Sequence, residues 1–224
     1  MKHTQNFISI FIMINIAVFV ISCENPTSGS SGGDDAGGDG SLGESFTLPA
    51  GPIDYLPGDA EIALAFLMVP GTSSPVHFYT PANVSNGNFP GMTITAPPTE
   101  HLVDLNLFFE DGLGDISFLS ISDSNAKLQI LFDLSILNDT ELAEENVVGF
   151  IERTDDDEFF VFWFYVDRDV QITGSTDNFT VNLNLKKGWN IVIDSWNDET
   201  KTTTLITGQE PPNVGWYYFE DYDD

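Results

Sequence analysis

The sequence predicts an all-β fold: an antiparallel β-sandwich with at most one short helix. Three observations carry that expectation. Short runs rich in Phe, Ile, Val, Leu and Thr recur from residue 61 to residue 220, separated by Gly, Pro, Asn and Asp, which is the composition of strands and turns. Turn signals return about every 8–12 residues, the spacing of sandwiches and barrels. No long stretch repeats its apolar residues at the helical period of 3.6.

Each element follows from its own residues. Glu61–Val69 (EIALAFLMV) is apolar almost throughout and reads as a buried strand closed by Pro70-Gly71. Val76–Pro81 is a second strand. Asn88–Pro97 carries Pro90 and reads as a short edge strand, because proline cannot donate to a ladder. His101–Phe109 reads as a strand with Leu105, Leu107 and Phe109 on one face, and Glu110–Asp115 (EDGLGD) as the turn after it. Ile116–Ser122 and Ala126–Leu137 continue the series.

Asn138–Val147 is the helix candidate: Asp139 or Thr140 would cap it, and acids near its start suit the helix dipole. Val148–Arg153 and Phe159–Asp167 flank the acidic loop TDDDE. The second of these runs is apolar at nearly every position, which predicts a central strand covered on both faces. Val170–Ser175, Phe179–Leu185, Gly188–Trp196, Lys201–Thr207 and Val214–Glu220 complete the set. The LKKGWN stretch predicts a hairpin with Gly188 at positive φ, and the strands around it a meander closing the chain. Residues 46–224, roughly 180 in number, suffice for one sizeable core or two small ones. They form a single sandwich or two β subunits meeting near 138–148.

The N-terminus has a different grammar. Lys2 precedes Phe7–Ser22, which is apolar apart from Ser9, Asn15 and Ser22. A charged start and a short apolar core predict a secretory signal, residues 1–22. The run is shorter than the ~20 residues a spanning helix needs, and no basic flank follows it. It ends Val20-Ile21-Ser22-Cys23, which resembles the bacterial lipobox. That resemblance implies recognition of Val20, Ile21 and Ser22 by signal peptidase II, cleavage before Cys23, and a diacylglyceryl group on the Cys23 sulfur. Cys23 is the only cysteine in the chain, so no internal disulfide exists, and lipidation accounts for the odd thiol. Two or more acyl chains anchor stably where one does not. The expected location is the extracytoplasmic side of a bacterial envelope membrane, with the outer membrane or the cell surface as the alternatives.

Residues 23–45 are expected to be the lipidated cysteine and a tether. The text ENPTSGSSGGDDAGGDGSLGES offers almost no apolar surface and cannot offset its ordering entropy. The 22 residues after Cys23 would reach roughly 25 Å as a flexible chain.

The chain has 35 acidic and 7 basic residues, a net charge of −28. Such a surface disfavours nucleic acid, whose binders replace counterions with Lys and Arg, and disfavours docking on anionic lipid. The expected partners are the membrane, through the anchor, and an envelope protein or glycan. No catalytic, cofactor-binding or metal-ligating residues emerge. His77 and His101 each stand beside apolar strand residues, with no H-E-x-x-H or cysteine pair near them. No G-x-S-x-G elbow, P-loop or G-x-G-x-x-G occurs.

The aromatics Trp163, Trp189, Trp196, Trp216, Tyr217 and Tyr218 are candidates for a stacking face, with Trp163 and Trp189 reading as core. Carboxylate pairs leave open a glycan hydrolase. EDGLGD and TDDDE leave open weak calcium binding, although neither has EF-hand spacing. The leading expectation is a non-enzymatic interaction or structural module.

Two further resemblances bear on the fold. YVDRDVQITG, VNLNLKKGWNIV and GWYYF together are similar to the tail of a group of uncharacterised bacterial envelope lipoproteins. The first half, through LFFEDGLGDIS, resembles the prealbumin-like β-sandwiches of exported proteins. These resemblances imply architecture and no activity.

Overall fold

The computed structural model describes residues 40–58, 60–68, 76–139, 146–155 and 159–220. Among the described residues the fold is all-β with one α-helix. The chain opens with β1 (Ser41–Gly43), β2 (Ser45–Leu48) and β3 (Gly51–Asp54). The short strands β4 (Ile62–Leu64), β5 (Phe66–Leu67), β6 (His77–Phe78), β7 (Ala82–Asn83) and β8 (Asn88–Phe89) lead to β9 (Met92–Thr95) and β10 (Val103–Asp104). Then come α1 (Leu105–Leu113), β11 (Leu119–Ile121), β12 (Lys127–Leu131), β13 (Asp133–Leu137), β14 (Val147–Thr154) and β15 (Phe159–Val166). The last five are β16 (Val170–Ser175), β17 (Phe179–Leu185), β18 (Gly188–Asn197), β19 (Thr202–Thr207) and β20 (Gly215–Glu220).

One large sheet runs β11-β16-β17-β19-β18-β15-β14-β13-β4-β7 in hydrogen-bonded order. Its axis is β15, the run that is apolar at nearly every position. On one side β15 pairs antiparallel with β18 along its whole length. On the other it pairs first with β14 and then with β12. Alternation splits its side chains between two cores: Val161, Trp163 and Tyr165 enter one, and Phe162, Phe164 and Val166 the other. The first core is covered by Leu48, Met92 and Ile94 of the two-stranded β2–β9 sheet, with Ile53, Phe89 and Trp216. The second is covered by Leu105, Phe108 and Phe109 of α1 and by the apolar faces of β16 and β17. The architecture is therefore sandwich-like, with apolar layers on both faces of the shared sheet.

Several local expectations are corrected. Leu105–Leu113 is a helix, not a strand. Leu105, Phe108 and Phe109 are buried at helical spacing, and Leu107 is 48% exposed on the outside. EDGLGD is accordingly the last turn of α1 and its exit. Gly114, at φ 75°, donates its N–H to the Glu110 carbonyl, the left-handed stop that glycine allows.

Residues 40–45, expected in the tether, belong instead to the folded part. β1 pairs with β18, the Gly40 carbonyl accepts the Ile191 N–H at 2.8 Å, and Tyr165 donates its hydroxyl to Glu44 at 2.7 Å. Glu61–Val69 is divided: β4 pairs with β13, while β5 pairs with β6 in a separate sheet, so the run serves two ladders.

The helix expected over 138–147 lies largely outside the described residues, at 140–145, and Val147 already belongs to β14. The strands on either side of this segment, β13 and β14, pair directly. The segment therefore connects neighbours in one sheet and does not separate two β subunits.

LKKGWN is not a hairpin, and the closing strands are not a meander. β17 and β18 meet at this corner but then diverge, and β19 fills the gap, parallel to β17 and antiparallel to β18. β20 leaves to pair with β14 and, in parallel, with β3. Gly188 does have the expected positive φ, 101°, and a Cβ there would lie 2.5 Å from the Gly43 carbonyl oxygen. Asn190, fully buried, staples the corner. Its Oδ1 accepts the Lys186 N–H at 2.8 Å, and its Nδ2 donates to the Lys186 and Gly188 carbonyls at 2.7 and 2.8 Å. Asp169 adds a bond from the Lys187 N–H at 2.9 Å.

Candidate functional site

Two groups of polar side chains stand out against this frame. The first is built by β12–β15. β14 and β15 separate from their shared turn, and the bent segment β12–β13 enters the fork, pairing first with β15 and then with β14. Leu131 and Leu134 both face the first core, so the bend turns Phe132 and Asp133 away from it together. Asp133 is the direct cross-strand neighbour of Glu152, and Tyr217 of β20 flanks Glu152 on the other side. The row continues to Asp54, opposite Tyr217.

Glu152 keeps some residue surface, but its Oε2 is enclosed and has no hydrogen-bond partner. Burial, followed by the Asp133 charge, pushes its carboxyl up to about 8. A carboxylate stripped of water without a compensating donor favours the neutral acid. Asp194 of β18 is pushed up by burial alone, to about 6. Its cross-strand neighbours are Phe160 and Leu205.

The second group joins His77 of β6 to His101, at the end of the 3-10 turn Thr99–His101. Their ring centres are 6.1 Å apart and their planes tilted by 37°. Burial lowers the His77 pKa, the His101 charge lowers it further, and Glu100 opposes both. Sequence reasoning treated these residues singly, because 24 positions separate them and no spacing motif links them.

The other candidates resolve into structure. Trp163, Trp189 and Trp216 are 1%, 0% and 1% exposed, so they are core and not a stacking face. Their indole N–H groups are also engaged where they meet polar backbone: Trp189 donates to the Thr95 carbonyl and Trp216 to the Pro49 carbonyl. Tyr218 is half-buried and donates its hydroxyl to the Val148 carbonyl. Trp196 is half-buried, with Lys201 Nζ 5.8 Å from its ring centre. Among the described residues the aromatic that stands out in solvent is Tyr55, 75% exposed at φ 64°, with its ring 6.1 Å from that of Tyr217.

The acidic turns are occupied locally. Asp115 accepts the Ser117 N–H at 2.9 Å. Asp155 accepts the Phe159 N–H at 2.8 Å and the Asn213 side-chain amide at 2.9 Å. Asp156, Asp157 and Glu158 lie outside the described residues. Among the described residues no group of three or more His, Cys, Asp or Glu side chains is arranged to hold a metal ion, and no helix is long and apolar enough to cross a membrane. Val20, Ile21, Ser22 and Cys23 also lie outside the described residues. An open hollow of about 480 Å³ beside α1 is lined by Asp104, Asn106, Leu107, Glu110, Ser124, Asn125 and Lys127. It contains neither the Glu152 row nor the histidines.

In comparison with known proteins, no family model matches this chain, and neither a curated protein nor a solved structure matches it.

Proposed function

We propose that this chain is a bacterial envelope lipoprotein: an all-β, non-enzymatic interaction module held on a membrane by lipid on Cys23. The observation that carries the proposal is the apolar run Phe7–Ser22 ending in Val20-Ile21-Ser22-Cys23. The thiol stands where a thioether nucleophile is needed, and nothing else in the exported chain uses it. The Gly/Ser/Asp stretch 24–39 then spaces the domain from the bilayer, with a reach of roughly 20 Å for its 16 residues.

Two features of the domain support an interaction role over a hydrolytic one. Asp133 and Glu152 are neighbouring carboxyls and that of Glu152 is raised, an arrangement that glycoside chemistry uses. However, the Glu152 oxygen with the perturbed environment is enclosed, so a sugar oxygen does not reach it. Tyr55, by contrast, offers exposed aromatic surface beside Tyr217 on the outer rim, the residue type that anchors protein and glycan contacts.

Metabolic labelling with a fatty acid tests the anchor. Label on the wild-type chain and none on Cys23→Ala supports the proposal, whereas label on both, or on neither, removes it.

A further inference from the structure

We propose that His77 and His101 form an exchangeable binding site for one borderline divalent transition-metal cation, of the Zn²⁺, Ni²⁺ or Cu²⁺ type. The inference is independent of the lipid anchor and rests on three features of the pair.

The first is separation. A metal-bound imidazole nitrogen sits about 2.0–2.1 Å from the cation, which puts each ring centre roughly 3.2 Å from it. Two such rings have centres about 5.3 Å apart at a tetrahedral angle and about 6.4 Å apart when collinear with the metal. The observed 6.1 Å falls inside that range. The tetrahedral value is under ~1 Å shorter than the observed separation.

The second is support. His77 is paired with Leu67, the Val76 N–H is held by the Leu67 carbonyl, and the His77 ring meets Tyr79 edge-on at 4.9 Å. Tyr79 is itself fixed, its hydroxyl donating to the Thr95 carbonyl. On the other side, the His101 carbonyl accepts the side-chain N–H of fully buried Gln129 at 2.8 Å. Both backbones are therefore held by the core, which fixes the points from which the two rings project.

The third is charge. Glu100, on the same turn as His101, is near enough for its charge to act on His77, and it offsets the charge of an arriving cation. Imidazoles select transition metals over Mg²⁺ and Ca²⁺, which prefer oxygen. With no third protein ligand among the described residues, water fills the other positions, so the site exchanges its metal and has micromolar affinity.

The test is a titration of the full chain with Zn²⁺, in excess Mg²⁺ to occupy surface carboxylates. The expected result is one micromolar site that weakens at least tenfold in His77→Ala and in His101→Ala. Binding unchanged in both variants overturns the proposal. Should either variant fail to fold, the wild-type chain gives an independent readout. The chain has three histidines, two of them in the domain, so their imidazole proton resonances are readily assigned. Substoichiometric Ni²⁺ should broaden His77 and His101 together. Broadening of neither, or of one alone, contradicts a shared site.

Discussion

Replacing Glu152 by glutamine should stabilise this protein, and only above a defined pH. The folded-state carboxyl is raised from 4.5 to about 8. A raised acid means that the folded state holds a proton which the unfolded state releases, so stability falls as pH rises through that interval. Each pH unit corresponds to about 1.36 kcal/mol. The full interval thus corresponds to a loss of roughly 5 kcal/mol, an upper figure because the fold can relax to hydrate or move the charged group. Asp194 contributes in the same direction between 3.8 and about 6.

The opposite slope comes from groups whose pKa values are lowered. These include Glu44, held down first by the Tyr165 hydroxyl, and Asp169, held down first by the Lys187 N–H. Their stabilisation is lost as pH falls through the carboxylate range. The wild-type stability curve should therefore peak near pH 4–5 and decline toward pH 9. Glu152→Gln should match wild type near pH 4.5 and exceed it by several kcal/mol at pH 9. Urea denaturation midpoints across that range are the assay. Parallel curves for the two proteins would refute the reasoning that Glu152 is enclosed and unpartnered.

Three further outcomes follow from the fold. Deleting residues 24–39 should leave the thermal midpoint within about 2 °C of wild type, whereas deleting 24–45 should lower it by many degrees, because the second deletion removes β1 from β18. Asn190→Ala should cost about 2–4 kcal/mol in urea denaturation, since the corner loses its staple and the Lys186 N–H and the Lys186 and Gly188 carbonyls lose partners. Leu107→Ala should change stability by under about 0.5 kcal/mol and Phe109→Ala by about 3–5 kcal/mol. Comparably large costs at both positions would restore the strand reading of this segment, in which both residues share a face.

The central strand was legible because β15 is a short aromatic and β-branched run apolar at almost every position, and a strand accepts that pattern only when covered on both faces. The helix was not, because Leu105 and Phe109, four apart, satisfy both the strand period and the helix period. Phe108 decides between them, and a short run gives it little weight. The LKKGWN corner shows a different limit. Gly188 needs positive φ in a hairpin and in a splayed corner alike, and nothing local reveals that β19 will enter between the strands. Glu152 was invisible for a related reason. A charged residue alternating with the apolar Ile151 looks solvent-facing, and its enclosure depends on the bend at Phe132 twenty residues earlier. The His77–His101 approach is purely tertiary, with no spacing to announce it. The tether boundary was misplaced because composition marks Gly40–Ser45 as linker, while main-chain pairing to β18 makes little demand on side-chain type.

The most direct measurement of the anchoring proposal is the intact mass of the chain purified from membranes. The account predicts a chain that begins at Cys23, carries the added mass of a thioether-linked diacylglyceryl group, and has no free thiol. A chain that begins elsewhere, or that retains an unmodified Cys23 reactive toward a thiol reagent, would contradict it.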